Sequence, residues 1–254
     1  MSVFKGAGIV RFIEINPTTG APKNGGFDIG ECSEFSIGTD LQRVEKFSKR
    51  DCNNTRIADL ETQSSLNLTI TFDEITVVDN LKLIARGASS SVAAATQTAE
   101  ALHEGTTVVA GQYLFTKYPF ATITTLTDSA SPTPNTLALN TDYEITNGPA
   151  GVIKILSVSG DTQPYLATYT NTLHTSVAGF TASALFYQVE LAGVNCADNA
   201  VTRVTVWKAR SFPASQLDFL ADDFGSAQCV FPILPDTTQT AAAPFGQYYR
   251  IYTL

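Results

Sequence analysis

The residue types that most often carry chemistry are few in this chain, and their spacing matches no catalytic or metal-binding pattern. Neither His103 nor His174 has a Cys, Asp or Glu at metal-ligand spacing, so we interpret both as exposed loop histidines. The carboxylate pair Asp222-Asp223 has no DxD partner, which favours a solvated turn or a helix start over a metal site. No Walker A, GxGxxG or nucleophile-elbow motif occurs. We therefore expect no enzyme activity and no cofactor.

The four cysteines are too sparse for a disulfide-built scaffold, and they form no CxxC motif. Cys32 and Cys52 flank a predicted hairpin, in which opposite positions can approach each other. Free thiols in a reducing cytosol are the favoured interpretation. The alternative is a disulfide at these cysteines, within or between chains, that forms after release from the cell.

Length and composition indicate a folded, acidic protein. The chain has 254 residues, of which 44% are hydrophobic and 16% charged, and its net charge is −8. This composition disfavours disorder, and the excess of carboxylates disfavours a groove that grips phosphates. No apolar run of about 18 residues predicts a membrane span. The first residues lack a secretory signal, so we expect the protein in the cytosol where it is made.

The clearest strand and the clearest helix follow each other directly. Over residues 66–73 apolar and polar residues alternate strictly, which predicts a strand with one buried and one polar face. Beyond it, Val77, Leu81 and Ile84 recur at helical spacing, and Gly87 is a natural C-terminal stop. We expect one amphipathic helix that ends at this glycine.

Strand signals also occur on both sides of this pair. Two alternating segments flank Gly38-Thr39-Asp40, which predicts a long polar hairpin that turns there. Residues 88–104 are rich in Ala, Ser and Thr, a composition compatible with a helix extension or an exposed loop. Over 105–175, strand signals separated by Gly, Pro and Asn predict an inserted β excursion or subdomain. Together with further strand signals up to the C-terminus, this order predicts a mainly β sandwich or barrel with one flanking helix.

Several segments occur in an order that is shared with one known family. In the N-terminal half, residues 27–37 (FDIGECSEFSI) precede the hairpin, residues 64–74 (SSLNLTITFDE) follow it, and Asn80-Leu81-Lys82-Leu83 opens the helix. The middle contains Asp142-Tyr143-Glu144 followed by residues 151–155 (GVIKI). The C-terminal half has the most specific order, which is residues 204–210 (VTVWKAR), Phe212-Pro213-Ala214, Asp222-Asp223-Phe224 and a strand that ends at Pro235-Asp236.

This ordered set, from about residue 25 to residue 236, resembles the tail tube (major tail) proteins of tailed bacteriophages. The resemblance implies a tail-tube-type β-sandwich over residues 1–254, with a flanking helix, a long hairpin loop and the 105–175 excursion inserted. It implies that the inner sheets of several subunits close into one barrel. It further implies hexameric rings that stack into a hollow tube, the conduit through which DNA is ejected into the host.

The resemblance also implies partners and a location. A tube subunit contacts copies of itself, the tape-measure protein, the tail terminator and baseplate or tip proteins, with a sheath protein if the tail is contractile. DNA passes through without specific binding, and an acidic wall that repels phosphates suits that passage. The expected location is the virion tail, after assembly in the host cytoplasm.

Two sets of residues are candidates for such a role. The first set is predicted to face the lumen from the polar faces of two strands: Asn67, Thr69, Thr71, Asp73, Gln188 and Glu190. An outer, solvated face is equally compatible with these positions. The second set is the predicted hairpin tip, a candidate loop between rings or subunits: Gly38, Thr39, Asp40, Leu41 and Gln42.

Three other functions stay open at this point. A β-sandwich of a virion or cell surface can act as a binding or decoration module. The tube protein of a phage-like injection or secretion system would share the fold. An enzyme site can also assemble only in three dimensions, although the missing motifs weigh against it. Stacked rings or hollow tubes in electron micrographs would separate the tube proteins from the other classes.

Overall fold

The computed structural model describes residues 5–50, 55–105, 107–220, 225–242 and 246–253. These residues are mainly β, as the sequence predicted. In chain order the elements are β1 (Gly6–Glu14), β2 (Phe27–Asp28), β3 (Cys32–Phe47), β4 (Arg56–Phe72), α1 (Val78–Ile84), β5 (Ala88–Val92), β6 (Ala95–Ala101), β7 (Tyr113–Phe115), β8 (Ala121–Thr127), β9 (Tyr143–Asn147), β10 (Val152–Ile155), β11 (Leu166–Asn171), β12 (His174–Ala178), β13 (Phe186–Asn195), β14 (Val201–Arg210), β15 (Ala227–Ile233) and β16 (Tyr249–Thr253).

The chain divides into two compact units. Unit 1 comprises Met1–Ser89 and Val177–Leu254, and unit 2 is the single segment Ser90–Ser176. The sequence placed the start of the inserted block near residue 105, but unit 2 begins earlier because β6 is one of its strands. The stretch 88–104 is therefore not a helix extension, and most of it is the two strands β5 and β6.

Unit 1 is built on one eight-stranded antiparallel sheet. The strand order is β2-β1-β13-β14-β15-β4-β3, and β16 pairs with β14 outside this path. β14 pairs with β13 along one edge and with β16 along the other, and it meets β15 only where Ala209 lies opposite Ile233. Because β14 and β15 are paired only at these two residues, the sheet can bend sharply there, which divides it into two halves, β2-β1-β13-β14 and β15-β4-β3.

The two halves enclose the hydrophobic core of unit 1. The ring centroid of Phe12 in β1 lies 5.3 Å from that of Phe231 in β15 and 6.3 Å from that of Phe72 in β4. The predicted alternation on β4 is confirmed, with Leu68 and Ile70 fully buried beside Phe72. Burial of side chains of this size contributes about 1.5–3 kcal/mol each. The arrangement is consistent with a β-sandwich, and within the described residues no sheet closes into a barrel.

Helix α1 confirms the predicted helix and ends in a Schellman motif. The backbone N–H of Gly87 donates to the Lys82 carbonyl at 3.1 Å, and that of Arg86 donates to the Leu83 carbonyl at 3.3 Å. The residue in the left-handed conformation is Arg86, with φ of 45°, and not the predicted Gly87. Glycine is required at 87 by a close approach, because a Cβ there would lie 2.5 Å from the Ala178 carbonyl oxygen.

The predicted long hairpin exists, but the predicted position of its turn is wrong. β3 runs unbroken through Gly38-Thr39-Asp40 and pairs with β4 from Cys32 opposite Phe72 to Phe47 opposite Arg56. The chain therefore reverses beyond Phe47. The local turn preference of a glycine is outweighed here by cross-strand pairing along a strand of 16 residues.

The outer part of this hairpin extends beyond the rest of the sheet. β15 pairs with β4 only as far as Leu66, so residues 40–47 and 56–65 pair only with each other. We call these two segments the ribbon. At about 3.3 Å per residue, the ribbon reaches roughly 25 Å beyond the sheet.

Unit 2 has its own core. Two three-stranded sheets, β7-β10-β9 and β6-β11-β8, contribute to one cluster of buried residues that includes Leu126, Ile153 and Tyr169. β5 and β12 pair with each other, and the hydroxyl oxygens of Ser90 and Ser176 lie 2.9 Å apart. The two ends of unit 2 are therefore adjacent.

A buried carboxylate organises the loops of unit 2. The Asp128 side chain is fully buried and accepts backbone hydrogen bonds from Asn135 at 2.6 Å, Thr162 at 3.1 Å and Ala130 at 3.2 Å. Burial opposes ionisation of Asp128, but these hydrogen bonds outweigh it and lower the pKa of the carboxyl group. The charged carboxylate therefore connects the loop between β8 and β9 with the loop between β10 and β11.

β1 and β13 approach each other closely where Gly8 lies opposite Gly193. A Cβ at Gly193 would overlap the carbonyl oxygen of Ala7, and a Cβ at Gly8 would lie 2.6 Å from that of Ala192. Backbone atoms cannot rotate away as a flexible side chain can. Glycine is therefore required at both positions.

Gly193→Ala is expected to destabilise the protein by about 1–3 kcal/mol, because β1 and β13 must separate to admit the methyl group. Gly38→Ala is the matched control, since the nearest heavy atom to a Cβ there is the Asn67 carbonyl oxygen at 4.0 Å. Its effect should stay within about 0.5 kcal/mol. Urea unfolding followed by circular dichroism measures both. A large loss for Gly38→Ala would instead favour a turn at that glycine.

Candidate functional site

The polar face of β4 forms a hydrogen-bonded surface with its two neighbouring strands. Asn67, Thr69 and Thr71 project from the side of β4 that is turned away from the core. The register places Thr71 between Gln228 of β15 and Glu34 of β3. This surface therefore spans three strands, and the three β4 residues are brought together as the alternation predicted.

Glu34 is the centre of this surface. Its carboxylate accepts hydrogen bonds from Gln228 Nε2 at 2.9 Å, Ser36 Oγ at 3.0 Å and Thr71 Oγ1 at 3.1 Å. These bonds, with that from Gln228 strongest, lower the pKa of Glu34 and outweigh the opposing effect of desolvation. One carboxylate thus connects β3, β4 and β15 on the polar face.

Carboxylates gather around the start of β3. Asp73 follows β4 directly and accepts a hydrogen bond from Ser33 Oγ at 3.0 Å. Burial, and then the charges of Asp73, Glu31 and Asp28, raise the pKa of the Cys32 thiol. The raised thiol pKa reflects the burial of Cys32 first and the negative charges around it second. We call the following five residues the acidic group: Asp28, Glu31, Glu34, Asp73 and Glu74.

The other two predicted lumen residues lie on a different part of the sheet. Gln188 and Glu190 occupy the polar face of β13, where Gln188 Nε2 donates to Glu190 Oε1 at 2.9 Å and Arg203 lies 2.6 Å from the same oxygen. β14 and β15 stand between this pair and the β4 residues. Because both halves turn their apolar faces to a shared core, their polar faces point away from each other. The six predicted residues are therefore divided between two polar faces of the sheet.

The ribbon has an ion-paired face and an apolar face. On the first, Arg56 Nη1 lies 2.7 Å from Glu45 Oε1 and 3.6 Å from Asp59 Oδ2. On the second, Val44 and Leu60 are directly opposite each other and are 59% and 65% exposed. Other exposed large apolar residues of the ribbon are Leu41, Phe47 and Ile57. Apolar side chains that nothing in the described chain covers make this arm a candidate contact surface.

The predicted loop between rings or subunits lies at the base of the ribbon. Gly38, Thr39, Asp40, Leu41 and Gln42 are all exposed strand residues of β3. They are not the tip of the hairpin, which lies beyond Phe47. Their contact with other copies stays a prediction, and the ribbon now extends that candidate surface outward.

A groove of about 450 Å³ lies between the free edges of β1 and β3. β2 covers β1 only at Arg11 and Phe12, so the edge around Gly6–Gly8 is unpaired in the described chain. The β3 wall carries Glu31, Glu34 and Phe35, and the β13 floor contributes apolar residues such as Leu191 and Val194. We call this space the seam groove.

A smaller cavity of about 250 Å³ lies beside α1 and is lined in part by Glu14, Lys82, Arg86 and Tyr187. Burial, followed by the charges of Glu14 and Asp79, raises the pKa of Tyr187 to about 12. The phenol is therefore a neutral hydrogen-bond donor at physiological pH and not a base.

Among the described residues, the chemically reactive residue types are not brought into one site. The interpretation of both histidines as exposed is wrong: His103 is half-buried and accepts a hydrogen bond from the Tyr165 backbone at 3.1 Å, and His174 is half-buried as well. In the part of the chain that the structure describes, no three His, Cys, Asp or Glu side chains are placed to hold a metal ion. Asp222-Asp223 and Cys52 lie outside the described residues, and so does the candidate disulfide of Cys32 with Cys52.

One protein-family model matches residues 3–252, which is nearly the whole chain. The chain belongs to the family described as Protein of unknown function UCP028589. No curated protein matches it. In this member of the UCP028589 family, the single helix among the described residues is too short to cross a membrane.

Sequence reasoning missed Glu34 and Gln228 as the residues that organise the polar face of β4. Ser36 lies two positions after Glu34, so period-two alternation places these two residues on one face. No signal in a single sequence aligns Gln228 with Thr71, because that pairing joins segments far apart in the chain.

Glu34→Gln should lower stability at neutral pH and have little effect in acid. The folded-state pKa of Glu34 is below its ordinary value of 4.5, so its contribution to stability is present above that value. The contribution is lost as the pH falls through the lowered folded-state pKa. The difference in Tm between the wild type and Glu34→Gln is therefore expected at pH 7 and should shrink below about pH 4.

Thermal unfolding from pH 3 to pH 7 measures this difference. Glu61→Gln is the control, because Glu61 is an exposed ribbon carboxylate with no hydrogen bond or ion pair among the described residues. Its Tm difference should be small at every pH. A Glu34→Gln difference of constant size across this range would contradict a role for the charged carboxylate.

Proposed function

We propose that this protein is a structural virion protein whose hexameric rings stack into a phage tail tube, the conduit for DNA ejection into the host. The ordered resemblance of residues 25–236 to tail tube proteins supports this function. The mainly β fold with one flanking helix and a long hairpin is compatible with it. A tube protein of a phage-like injection or secretion system is the related alternative.

The exposed ribbon is the observation that carries the proposal. A two-stranded arm is marginally stable in water when it stands alone. This arm exposes Val44, Phe47, Ile57 and Leu60 to solvent in a single chain. Contact with other copies would cover these side chains and would order the arm. A protein that works as a monomer has no evident need for such an arm.

The free edges of the sheet provide a second reason for self-association. β3 pairs with β4 along one side only, and most of β1 beyond β2 has an unpaired edge. Unpaired strand edges invite uncontrolled pairing unless they are covered. Pairing of such edges between subunits, so that six sheets form one closed barrel, would satisfy these backbone groups.

We assign the lumen face to the β4 surface and not to β13. Asn67, Thr69 and Thr71 lie on β4, directly beside the edge strand β3 of β15-β4-β3, the half of the sheet that can continue into a neighbouring subunit. The residues Gln188 and Glu190 then face outward. A wall of neutral and acidic side chains offers few contacts to phosphates, and the net charge of −8 acts in the same direction.

The other parts of the proposal follow from the same role. The protein would be part of the virion tail, would assemble in the host cytoplasm and would have no enzymatic activity. Its partners would be further copies, the tape-measure protein, the tail terminator, baseplate or tip proteins and, in a contractile tail, the sheath.

Negative-stain microscopy of the purified full-length protein tests the proposed function. Stacked rings or hollow tubes with sixfold symmetry are expected, and a cryo-electron microscopy map of these tubes at side-chain resolution should show Thr69 and Thr71 pointing toward the axis. Side chains that point away from the axis would reject the lumen assignment alone. A monodisperse monomer at high concentration, also after addition of the tail tip complex, would favour a binding or decoration module.

Val44→Ser/Leu60→Ser is expected to abolish rings and tubes while the monomer stays folded. Both side chains are more than half exposed, so their loss removes little from the core of a single chain. Leu173→Ser is the control, because Leu173 is 68% exposed but lies in unit 2. Microscopy and circular dichroism measure assembly and folding. Normal tubes from the double variant would exclude the apolar face of the ribbon from the contact.

A further inference from the structure

The cavity beside α1 combines charged, hydroxyl-bearing and apolar side chains. We call this space of about 250 Å³ the α1 cavity. Its lining includes Arg86 and Tyr187 as well as Phe27, Leu83 and Leu185, and every lining residue belongs to unit 1. A concave space with an apolar wall and a few convergent polar groups is typical of a small-molecule site. At about 30 Å³ for each non-hydrogen atom, as in liquid water, the α1 cavity admits only a small ligand.

Arg86 brings a positive charge to this cavity that no carboxylate of the described chain neutralises. The two acidic residues of the lining are paired with lysines, Glu14 with Lys23 at 2.8 Å and Asp79 with Lys82 at 2.8 Å. Arg86 forms no ion pair among the described residues, and its Nε atom is buried there without a hydrogen-bond acceptor. Buried polar groups are nearly always paired, so this guanidinium is available to an anion.

The backbone around Arg86 is held without help from the Arg86 side chain. The carbonyl oxygens of Ala85 and Arg86 accept backbone hydrogen bonds from Phe180 at 2.9 Å and from Ala182 at 3.2 Å. The guanidinium is therefore not needed to cap the C-terminus of α1. It lies instead over the Phe180 ring, 5.9 Å from the ring centroid, which restricts its position.

Both members of this stacked pair have a left-handed backbone. The φ angle is 45° at Arg86 and 58° at Phe180. This conformation favours glycine, because a Cβ atom is crowded by the backbone there. Large side chains that are kept at strained positions cluster at ligand-binding and active sites. Arginine at position 86 therefore lowers stability relative to glycine, and a binding role of its side chain accounts for that cost.

The hydroxyl group of Tyr187 is a second donor without a partner. Tyr187 is 7% exposed, and its hydroxyl forms no hydrogen bond in the part of the chain that the structure describes. The rings of Phe12 and Phe27 meet the phenol edge-on, with centroids 5.6 and 6.5 Å away, and hold it in one orientation. Because its pKa is raised to about 12, mainly by burial, the phenol stays protonated and can donate to an anion.

The other lining residues narrow the class of anion. A guanidinium matches the two oxygens of a carboxylate. Glu14 and Asp79 also line the cavity, so an anion with one charge is favoured over phosphate or sulfate with two. Phe27, Leu83 and Leu185 provide an apolar wall that can cover a short aliphatic chain.

We propose that the α1 cavity binds a short-chain aliphatic monocarboxylate, with the carboxylate on Arg86 and Tyr187 and the chain against Leu83 and Leu185. The site is complete within one chain, and it is independent of the proposed self-assembly. A ligand that binds only the folded chain also stabilises unit 1.

Equilibrium dialysis of the full-length protein against radiolabelled butyrate tests the site. A saturable Kd of about 1 mM or tighter is expected. Unlabelled acetate should compete roughly tenfold more weakly than unlabelled butyrate, because two buried methylene groups are missing. Butyramide has the same shape without the charge and should not compete.

Two variants separate binding from stability. Arg86→Gly should weaken butyrate binding at least about tenfold. Its Tm should change little, because glycine suits the left-handed backbone. Tyr187→Phe should weaken binding about three- to tenfold and leave the Tm unchanged, because it removes a hydroxyl without a hydrogen bond in the described chain. Lys5→Gln is the control, since it removes one exposed positive charge outside the cavity and should bind butyrate as the wild type does.

The outcomes decide the site separately from the tube function. Butyrate binding that Arg86→Gly and Tyr187→Phe both weaken would support the site. Wild-type affinity in Tyr187→Phe would overturn it, also if Arg86→Gly fails to fold. No binding at about 20 mM butyrate, or displacement by inorganic phosphate as effective as by butyrate, would overturn it as well. Because dialysis needs no assembly, tubes that bind no butyrate would overturn the site alone, and monomers that bind it would count against the tube function alone.

Discussion

The antiparallel register of β3 against β4 is the constraint on which the rest of unit 1 depends. With Phe35 opposite Ile70, Ile70 points into the core and Thr71 points away from it, next to Glu34. A slip by one residue would exchange the two faces of β4, so that threonines would be buried and apolar residues exposed. The register is therefore fixed by the core at one end of the hairpin, and the polar face follows from it.

The pairing shifts by one residue between Gln42 and Arg43 and then continues through the ribbon, where no core enforces it. There Val44 lies opposite Leu60, and Glu45 lies opposite Asp59 with Arg56 beside both. Exposed ion pairs of this kind contribute little to stability, typically about 0–1 kcal/mol each. The ribbon is thus aligned by the sheet at its base, while its own side chains are left for contacts outside the chain.

The strand and the helix that are specified by a local repeat of apolar residues were predicted correctly from the sequence. The alternation over 66–73 located β4 and its faces, and the helical spacing after it located α1. The turn at Gly38 was wrong because strand pairing along β3 is decided by residues far away in the chain. β5 and β6 were missed because short polar side chains give no periodic signal.

For the candidate site, the polar faces of β4 and β13 were predicted correctly. The division of the six predicted lumen residues between the two halves of the unit 1 sheet could not be predicted, because it depends on how the sheet bends at Ala209.

The adjacent ends of unit 2 have a consequence for how the protein can diversify. Chain entry and exit are side by side, with the hydroxyl oxygens of Ser90 and Ser176 2.9 Å apart. A segment that begins and ends at one point can be shortened, exchanged or removed by a short join, and the host fold keeps its own strands and core. Unit 2 can therefore be shortened or exchanged at this point without a change in the strand order of the unit 1 sheet.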